Sequence, residues 1–282
     1  MPTVLKQVFT DIIKENFYPD GSFLKELSSF DHLVDNNKIN MSQVGADPTV
    51  VENNSNFPLT PATRTDTGIE IALGTLDSEP TYVTNVEELE TAYDKCQSVV
   101  RQHYKALSAR AAKSAAFNIA PAENSTNTPV IATTGQANDG KKRLTYKDVL
   151  KLRTKFNKLN LPQDGRVLVL CPEHEEDLLA EDVDRYNQIM TTGKIAGFKV
   201  YTFSDNPQYN TSGEKQAYGT TNAQPTSIAF VNDEVMRAMG SIEGEPEKRW
   251  ADYRGWLIGF QMRFVAMPIT GRGIAAIYSA NA

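Results

Sequence analysis

The chain is expected to be an α+β protein, with one helix much longer than the others and its strands gathered toward the C-terminal end. Three observations carry this reading. Residues 227–279 contain apolar, β-favouring runs (228–231, 257–260, 263–267 and 274–278) separated by Gly and Pro. Over residues 85–118 apolar side chains recur three or four apart. Between the two, an apolar strand pattern over 166–171 runs into Pro172 and an acidic, helix-favouring segment.

Taken in order, residues 3–16 read as an amphipathic helix, with Val4, Leu5, Val8, Phe9, Ile12 and Ile13 on one side and Lys6, Asp11, Lys14 and Glu15 on the other. That mixture of charges does not suit a membrane-surface helix, which favours Lys and Arg. Pro19-Asp20-Gly21 is a turn signal, and a weaker apolar segment covers 23–34. Residues 36–62 are polar and irregular and read as an arm, loop or linker, because such a stretch cannot bury itself. Residues 68–73 alternate, 74–80 supply turn chemistry and 81–84 resume strand character, which predicts a hairpin. A lone hairpin is marginal in water, so this one is expected to lie on something else.

The long helix follows. Asn85 is its N-cap, Glu87 and Glu88 stand in the first turn, and Arg101, Lys105, Arg110 and Lys113 load the second half, matching the helix dipole. Cys96 falls on its apolar stripe and reads as a small buried hydrophobe, as does Cys171, rather than as half of a disulfide. Thr145 caps a second helix over 146–159, with Val149, Leu150, Leu152 and Phe156 inward. The segment 173–186 reads as one acidic helix, 193–203 as turn plus strand, and 205–226 as a long polar loop. The last apolar run must tuck into a sheet, since an unpaired apolar strand is an aggregation edge.

Composition narrows the function. A net charge of −6 with no dense Lys/Arg block argues against a nucleic-acid binder. No apolar window approaches the ~20 residues of a membrane helix. The N-terminal stretch has neither the basic start nor the apolar core of a signal peptide, so a soluble, cytoplasmically made protein is expected. His174-Glu175-Glu176-Asp177 resembles a ligand cluster, but a zincin needs a second His where Leu178 stands. The bland reading is a solvated acidic first turn after Pro172. His103, on the helix stripe, reads as packed or hydrogen-bonded. No G-x-S-x-G, Walker or G-x-G-x-x-G motif occurs. Arg249, Arg254, Arg263 and Arg272 with Trp250, Tyr253, Trp256 and Phe260 suit a subunit interface better than base stacking.

The succession of arm, hairpin, very long helix, α/β insert and closing strands resembles the HK97-type major capsid proteins of tailed double-stranded DNA bacteriophages. The match of order covers essentially the whole chain. The segment RVLVLCPEHEEDLLAED (166–182), the GKIAGFKVYTF strand (193–203) and the run 228–240 are similar to units of the A-domain in those shells. The resemblance implies an HK97-like capsid fold: N-terminal arm 1–56, E-loop 57–84, P-domain with spine helix 85–144, A-domain 145–240 and P-domain closing strands 241–282. It implies a structural subunit, not an enzyme, assembling into pentamers and hexamers around a DNA genome, with no cofactor, no metal and no membrane.

The expected interface residues are Val4, Val8, Phe9 and Ile12 of the arm, Phe57, Arg64, Ile69, Ile71, Leu73 and Tyr82 of the E-loop, and Trp250, Tyr253 and Arg254 of the aromatic–Arg cluster. The expected partners are further copies of the chain, a separate scaffolding protein, a portal protein, a decoration protein, and packaged DNA without sequence-specific contact. Some HK97-type shells resemble chain mail, joined through an E-loop lysine. No lysine stands between Lys38 and Lys95, so no such crosslink is expected. Two alternatives are an encapsulin-like nanocompartment shell and, from another class, a metal-dependent hydrolase using the carboxylates of 173–182.

Overall fold

The computed structural model describes residues 22–35, 37–43, 52–53, 67–84, 95–244, 247–249 and 254–282. The expected helix over 3–16, with Val4, Val8, Phe9 and Ile12, lies outside them, as do Phe57, Arg64, Trp250 and Tyr253.

A 3-10 turn, Phe23–Glu26, opens the described chain, started by Ser22, whose side chain accepts from Leu24 N at 3.3 Å. Short strands β1 (Ser28–Ser29) and β2 (Val34–Asp35) follow, then β3 (Lys38–Gln43), β4 (Thr67–Ala72), β5 (Gly74–Asp77) and β6 (Thr81–Thr84). Helix α1 spans Lys95–Ile119. At about 1.5 Å per residue its 25 residues make a rod of roughly 37 Å. It ends one residue beyond the sequence expectation; its expected start, 85–94, lies outside the described residues. Then come β7 (Val130–Ala132), β8 (Ala137–Asn138), β9 (Lys141–Lys142), α2 (Tyr146–Lys158) and β10 (Arg166–Leu170).

The acidic segment is two helices, not one. Helix α3 (Pro172–Glu181) stops at Asp182, whose φ of −160° is extended backbone. Asp182 then caps α4 (Val183–Thr192), its Oδ1 accepting from Arg185 N at 3.0 Å. An Asp competes with helix continuation by offering its carboxylate to the backbone, which is why the break falls here. Strands β11 (Lys194–Ile195), β12 (Phe198–Thr202), β13 (Gln208–Tyr209), β14 (Lys215–Gln216), β15 (Thr226–Val231), β16 (Val235–Glu243), β17 (Glu247–Arg249), β18 (Gly255–Ile258), β19 (Gln261–Pro268) and β20 (Ile274–Tyr278) complete the chain.

The largest sheet has the order β11-β12-β10-β15-β20-β7, with β10 parallel to β12, β20 parallel to β7 and the other pairs antiparallel. The final apolar strand is thus paired on both sides. This sheet draws β7 and β20 from outside the 145–240 range expected for the α/β insert. Because a strand's side chains alternate, β10 serves two cores. Val167 and Val169 join α1 residues Ala111, Ala115 and Ile119 on one face. Leu168 and Leu170 join Val149, Leu152 and Phe156 of α2, Leu178 of α3 and Ile189 of α4 on the other. The alanines of α1 let helix and sheet approach closely.

A second sheet, β1-β16-β19-β5, packs through Met262, Phe264 and Ala266 into the same core as α1. A third is β17-β18-β6. The N-terminal strap 22–35 spans the first two. Phe23 packs edge-on to Phe203 and Phe230, while Ser28 and Ser29 pair with Met236 and Arg237 of β16. Phe23, Leu24 and Leu27 of the expected arm are therefore core.

The loop 205–226 is anchored over the end of α1. Tyr209 is fully buried and its hydroxyl donates to Pro121 O. Lys215 Nζ donates to Phe117 O at 2.9 Å and Ala120 O at 2.8 Å, covering carbonyls that a helix end leaves open. The Tyr218 hydroxyl donates to Asp205 O at 2.9 Å and Lys113 O at 3.2 Å. The composition of this loop is polar, but its buried tyrosine and capping lysine hold it down.

Candidate assembly surface

The expected pairing of 68–73 with 81–84 does not occur. Strand β4 pairs antiparallel with β3, from Lys38↔Ala72 to Gln43↔Thr67. Strand β5 pairs with β19 and β6 with β18, so both belong to other sheets. The partner of 67–72 is 38–43, which lies hidden in the polar stretch 36–62. The alternation Lys38, Ile39, Asn40, Met41 was the available signal, and the surrounding Asn, Asp and Ser masked it.

The hairpin is rooted in the core at its base. At its base Ile39 is fully buried with Leu73, Met236 and Ala238, and Ile71 packs against this cluster. Leu73 N donates to Asn37 O at 3.1 Å. Lys38, Asn40, Gly68, Glu70 and Ala72 are exposed, and Lys38 pairs with Glu70 across the strands. Leu73 is thus packed within the chain rather than presented to solvent. Ile71 is half-buried, Tyr82 is exposed on β6 and Arg254 is exposed with a left-handed φ of 50°. The backbone at Ile69 pairs with Met41.

The aromatic–Arg cluster is not a single patch. Phe260 is buried, with His103 edge-on to it at 5.9 Å between ring centroids. Arg272 Nε donates to Glu234 at 3.0 Å and Arg263 Nη1 to Thr75 at 3.2 Å.

Most of the residues that suggested catalysis are sealed or engaged, with Glu176 left exposed. His174 is not on a solvated turn: it is fully buried. Its Nδ1 lies 2.7 Å from Ser227 Oγ and its Nε2 3.0 Å from Ser279 Oγ, so it pins α3 to β15 and to the end of β20. Burial drives its pKa down to about 3 and that of the neighbouring Cys171 thiol up to about 12. Neither group meets solvent, so this His–Ser–Cys constellation has no route to a substrate.

The carboxylates of α3 cap other backbone. Asp177 Oδ2 accepts from Leu144 N at 2.8 Å and Glu181 Oε2 from Tyr146 N at 2.8 Å, serving the open N–H groups at the start of α2. Glu175 accepts from the Tyr186 hydroxyl at 2.6 Å, which pushes that phenol up to about 12. Burial raises the Asp177 carboxyl, partly offset by Leu144 N–H and Arg143. Asp148, beside this junction, is fully buried and accepts from Thr134, Thr145 and Lys151. Burial opposes its ionisation, but these donors outweigh it and hold it below the usual carboxylate range. Among the described residues no group of three or more His, Cys, Asp or Glu side chains is placed to hold a metal ion. Of the carboxylates of 173–182 that the hydrolase alternative would use, Glu175, Asp177 and Glu181 are thus taken up by contacts within the fold.

Comparison with known proteins agrees with this frame. No protein-family model and no curated protein matches the sequence. Solved structures do match the fold. The capsid structure of the cyanophage P-SCSP1u aligns over 91% of this chain and 87% of its own, with 17% identity and a TM-score of 0.65. The capsid of Ralstonia phage GP4 aligns over 91% and 87%, with 8% identity and a TM-score of 0.68. The chain has the HK97-like fold of phage capsid proteins. A virus-like particle from Pyrococcus furiosus is similar over 98% of both chains, with 11% identity and a TM-score of 0.59.

Proposed function

We propose that this chain is the structural subunit of an icosahedral phage head, assembling into pentamers and hexamers that enclose a DNA genome. The observation that supports this best is the fold match to capsid structures of several phages, which runs along nine-tenths of the chain rather than one domain. The 38–72 hairpin fits the reading. It is built on the core at Ile39, and a neighbouring copy would supply the burial that a two-stranded ribbon lacks. A stable contact of this kind covers about 1,600 Å². Several modest contacts per subunit hold a closed shell because they act together.

The protein is then a component of the virion, made in the host cytoplasm, and works without catalysis. Its partners are other copies of itself, a separate scaffolding protein during assembly, a portal protein and a decoration protein. The β3–β4 pairing favours an arm ending near residue 37 and an E-loop from 38 to 72, in place of the 1–56 and 57–84 expected from sequence. The remaining interface candidates are Val4, Val8, Phe9, Ile12, Phe57, Arg64, Ile69, Ile71, Tyr82, Trp250, Tyr253 and Arg254.

The test is negative-stain electron microscopy of the chain expressed alone and with its neighbouring genes. Shells, tubes or free five- and six-membered rings are expected. Only monomers under both conditions would overturn the reading. Particles filled with one co-purifying enzyme instead of DNA would turn it to a cargo compartment, the alternative raised by the virus-like particle match.

A further inference from the structure

The layer formed by α2, α3 and α4 has an unusual surface. Of the large apolar side chains exposed on the described residues, Leu150 (38%), Leu179 (41%), Val183 (57%) and Met190 (44%) all belong to it. Their surroundings carry opposite charges. The outer side of α2 presents Lys147, Lys151 and Lys158 at helical spacing, flanked by Leu150, with the only α2 carboxylate, Asp148, buried beneath. The α3–α4 pair exposes Glu176 and Asp184 among Leu179, Val183 and Met190, with Arg185 its only Lys or Arg, and that guanidinium lies over the Tyr146 ring at 4.4 Å.

Lys151 is held by Asp148, but most of the other charges find no use among the described residues. Asp177 and Glu181 cap α2 and Glu175 holds Tyr186, but Glu176, Asp184, Lys147 and Lys158 have no ion partner among the described residues. Apolar side chains ringed by unpaired like charges fit a partner of the opposite sign, with desolvated aliphatic anchors at the centre and charge fixing register at the rim. The chain itself carries both halves.

We propose that the basic, Leu150-centred face of α2 docks on the acidic, Val183-centred face of α3–α4 in the next copy of the chain. Such a contact is heterologous: each copy uses one face of each kind, and repetition around an axis closes a ring. The proposal rests on the assembly reading above and assigns to it one specific contact, distinct from the hairpin.

The experiment is a charge swap in the full-length chain, with circular dichroism to verify folding and sedimentation velocity plus electron microscopy to score assembly. The unaltered chain forms rings or shells. Lys147→Glu with Lys158→Glu, or Glu176→Lys with Asp184→Lys, leaves a folded chain whose assembled fraction falls at least tenfold at low salt. All four substitutions together restore complementarity and recover most of the assembly. Normal assembly of both double variants overturns the contact while leaving the capsid reading intact. So does failure of the folded fourfold variant to recover. Normal rings with selective loss of a co-expressed scaffolding protein would give the surface to that partner and overturn the self-contact. If the unaltered chain never assembles, the capsid reading and the contact fall together.

Discussion

Glu26 and Lys199 stand 173 residues apart in sequence, yet Lys199 Nζ donates to Glu26 Oε1 at 2.5 Å, beside a second donor, the Tyr201 hydroxyl, at 2.6 Å. This links the N-terminal strap to β12 at the far side of the central sheet, while the strap's next residues pair with β16. The strap therefore couples two sheets. Burial alone would raise the Glu26 carboxyl, but the Lys199 and Tyr201 donors outweigh it and hold it low. A carboxylate whose folded pKa is depressed stabilises above its unfolded pKa, and that stability is lost as pH falls through the folded value. Glu26→Gln is expected to cost about 0.5–1 kcal/mol at pH 7, since Lys199 is half exposed and the pair is partly screened. Urea midpoints should show the gap to the unaltered chain closing below about pH 4. A gap of equal size at pH 7 and pH 3 would sink the assignment.

His174 gives a second pH signature, of different origin. It is buried neutral, and an unfolded histidine takes up a proton near pH 6.5 that the folded one refuses until about 3. Between these values the unfolded state binds more protons, so stability falls as pH falls, with a slope of up to about 1.4 kcal/mol per unit. His174→Gln should flatten that slope while lowering stability at pH 7. An unchanged slope in equilibrium unfolding from pH 7 to pH 4 would contradict it.

The loop over the end of α1 should depend on two contacts. Tyr209→Phe removes the donor to a buried carbonyl and is expected to cost about 1–3 kcal/mol. Lys215→Met uncovers the carbonyls of Phe117 and Ala120 and should open 205–226 to limited proteolysis. Equal cleavage of variant and parent would show that the loop is held otherwise.

Replacing residues 44–66 by Asn-Gly would close the hairpin directly after the Gln43↔Thr67 pair, with a turn whose twist suits it. The expected product is a chain with native circular dichroism that forms no closed shells. Deleting 65–82 would be a poorer test, because it removes β5 and part of β6 from the sheets they complete. Shells of normal size from the Asn-Gly variant would mean that the reach of the hairpin is not needed.

Assembled particles should run on a denaturing gel at the monomer mass of 31.3 kDa. The revised hairpin does contain one amine, Lys38, but it sits at the base and is paired with Glu70. A covalent ladder would refute this.

Much of the frame was legible because local pattern and burial coincide. The run Arg166–Leu170 is buried at every position and reads as a strand; α2 buries Val149, Leu152 and Phe156 as their spacing implies, though Leu150, expected inward, is exposed; the end of α1 falls within one residue of its expected place. What failed was partner choice. Residues 68–73 and 81–84 are expected to pair across a turn at 74–80, yet 74–77 is itself a strand and β4, β5 and β6 each join a different sheet. Three strands separated by one to three residues leave no trace of this in composition, because their pairing is decided by Lys38–Gln43, Gly255–Ile258 and Gln261–Pro268 far away. His174 was misplaced for a similar reason: its neighbours Glu173, Glu175 and Glu176 are acidic, whereas its partners Ser227 and Ser279 lie 53 and 105 residues away.

The double use of β10 has a consequence for how this chain tolerates change. Odd-numbered residues at 167 and 169 line one interior and even-numbered ones at 168 and 170 the other. The strand behaves like a reading frame of period two. Inserting one residue at its start would trade the contents of the two interiors, sending leucines toward α1 and valines toward α2, whereas inserting two restores parity and leaves only the flanking turn at Gly165 to adjust. Length variation in relatives of this chain should therefore accumulate in even steps at such strands and freely in the connections between them.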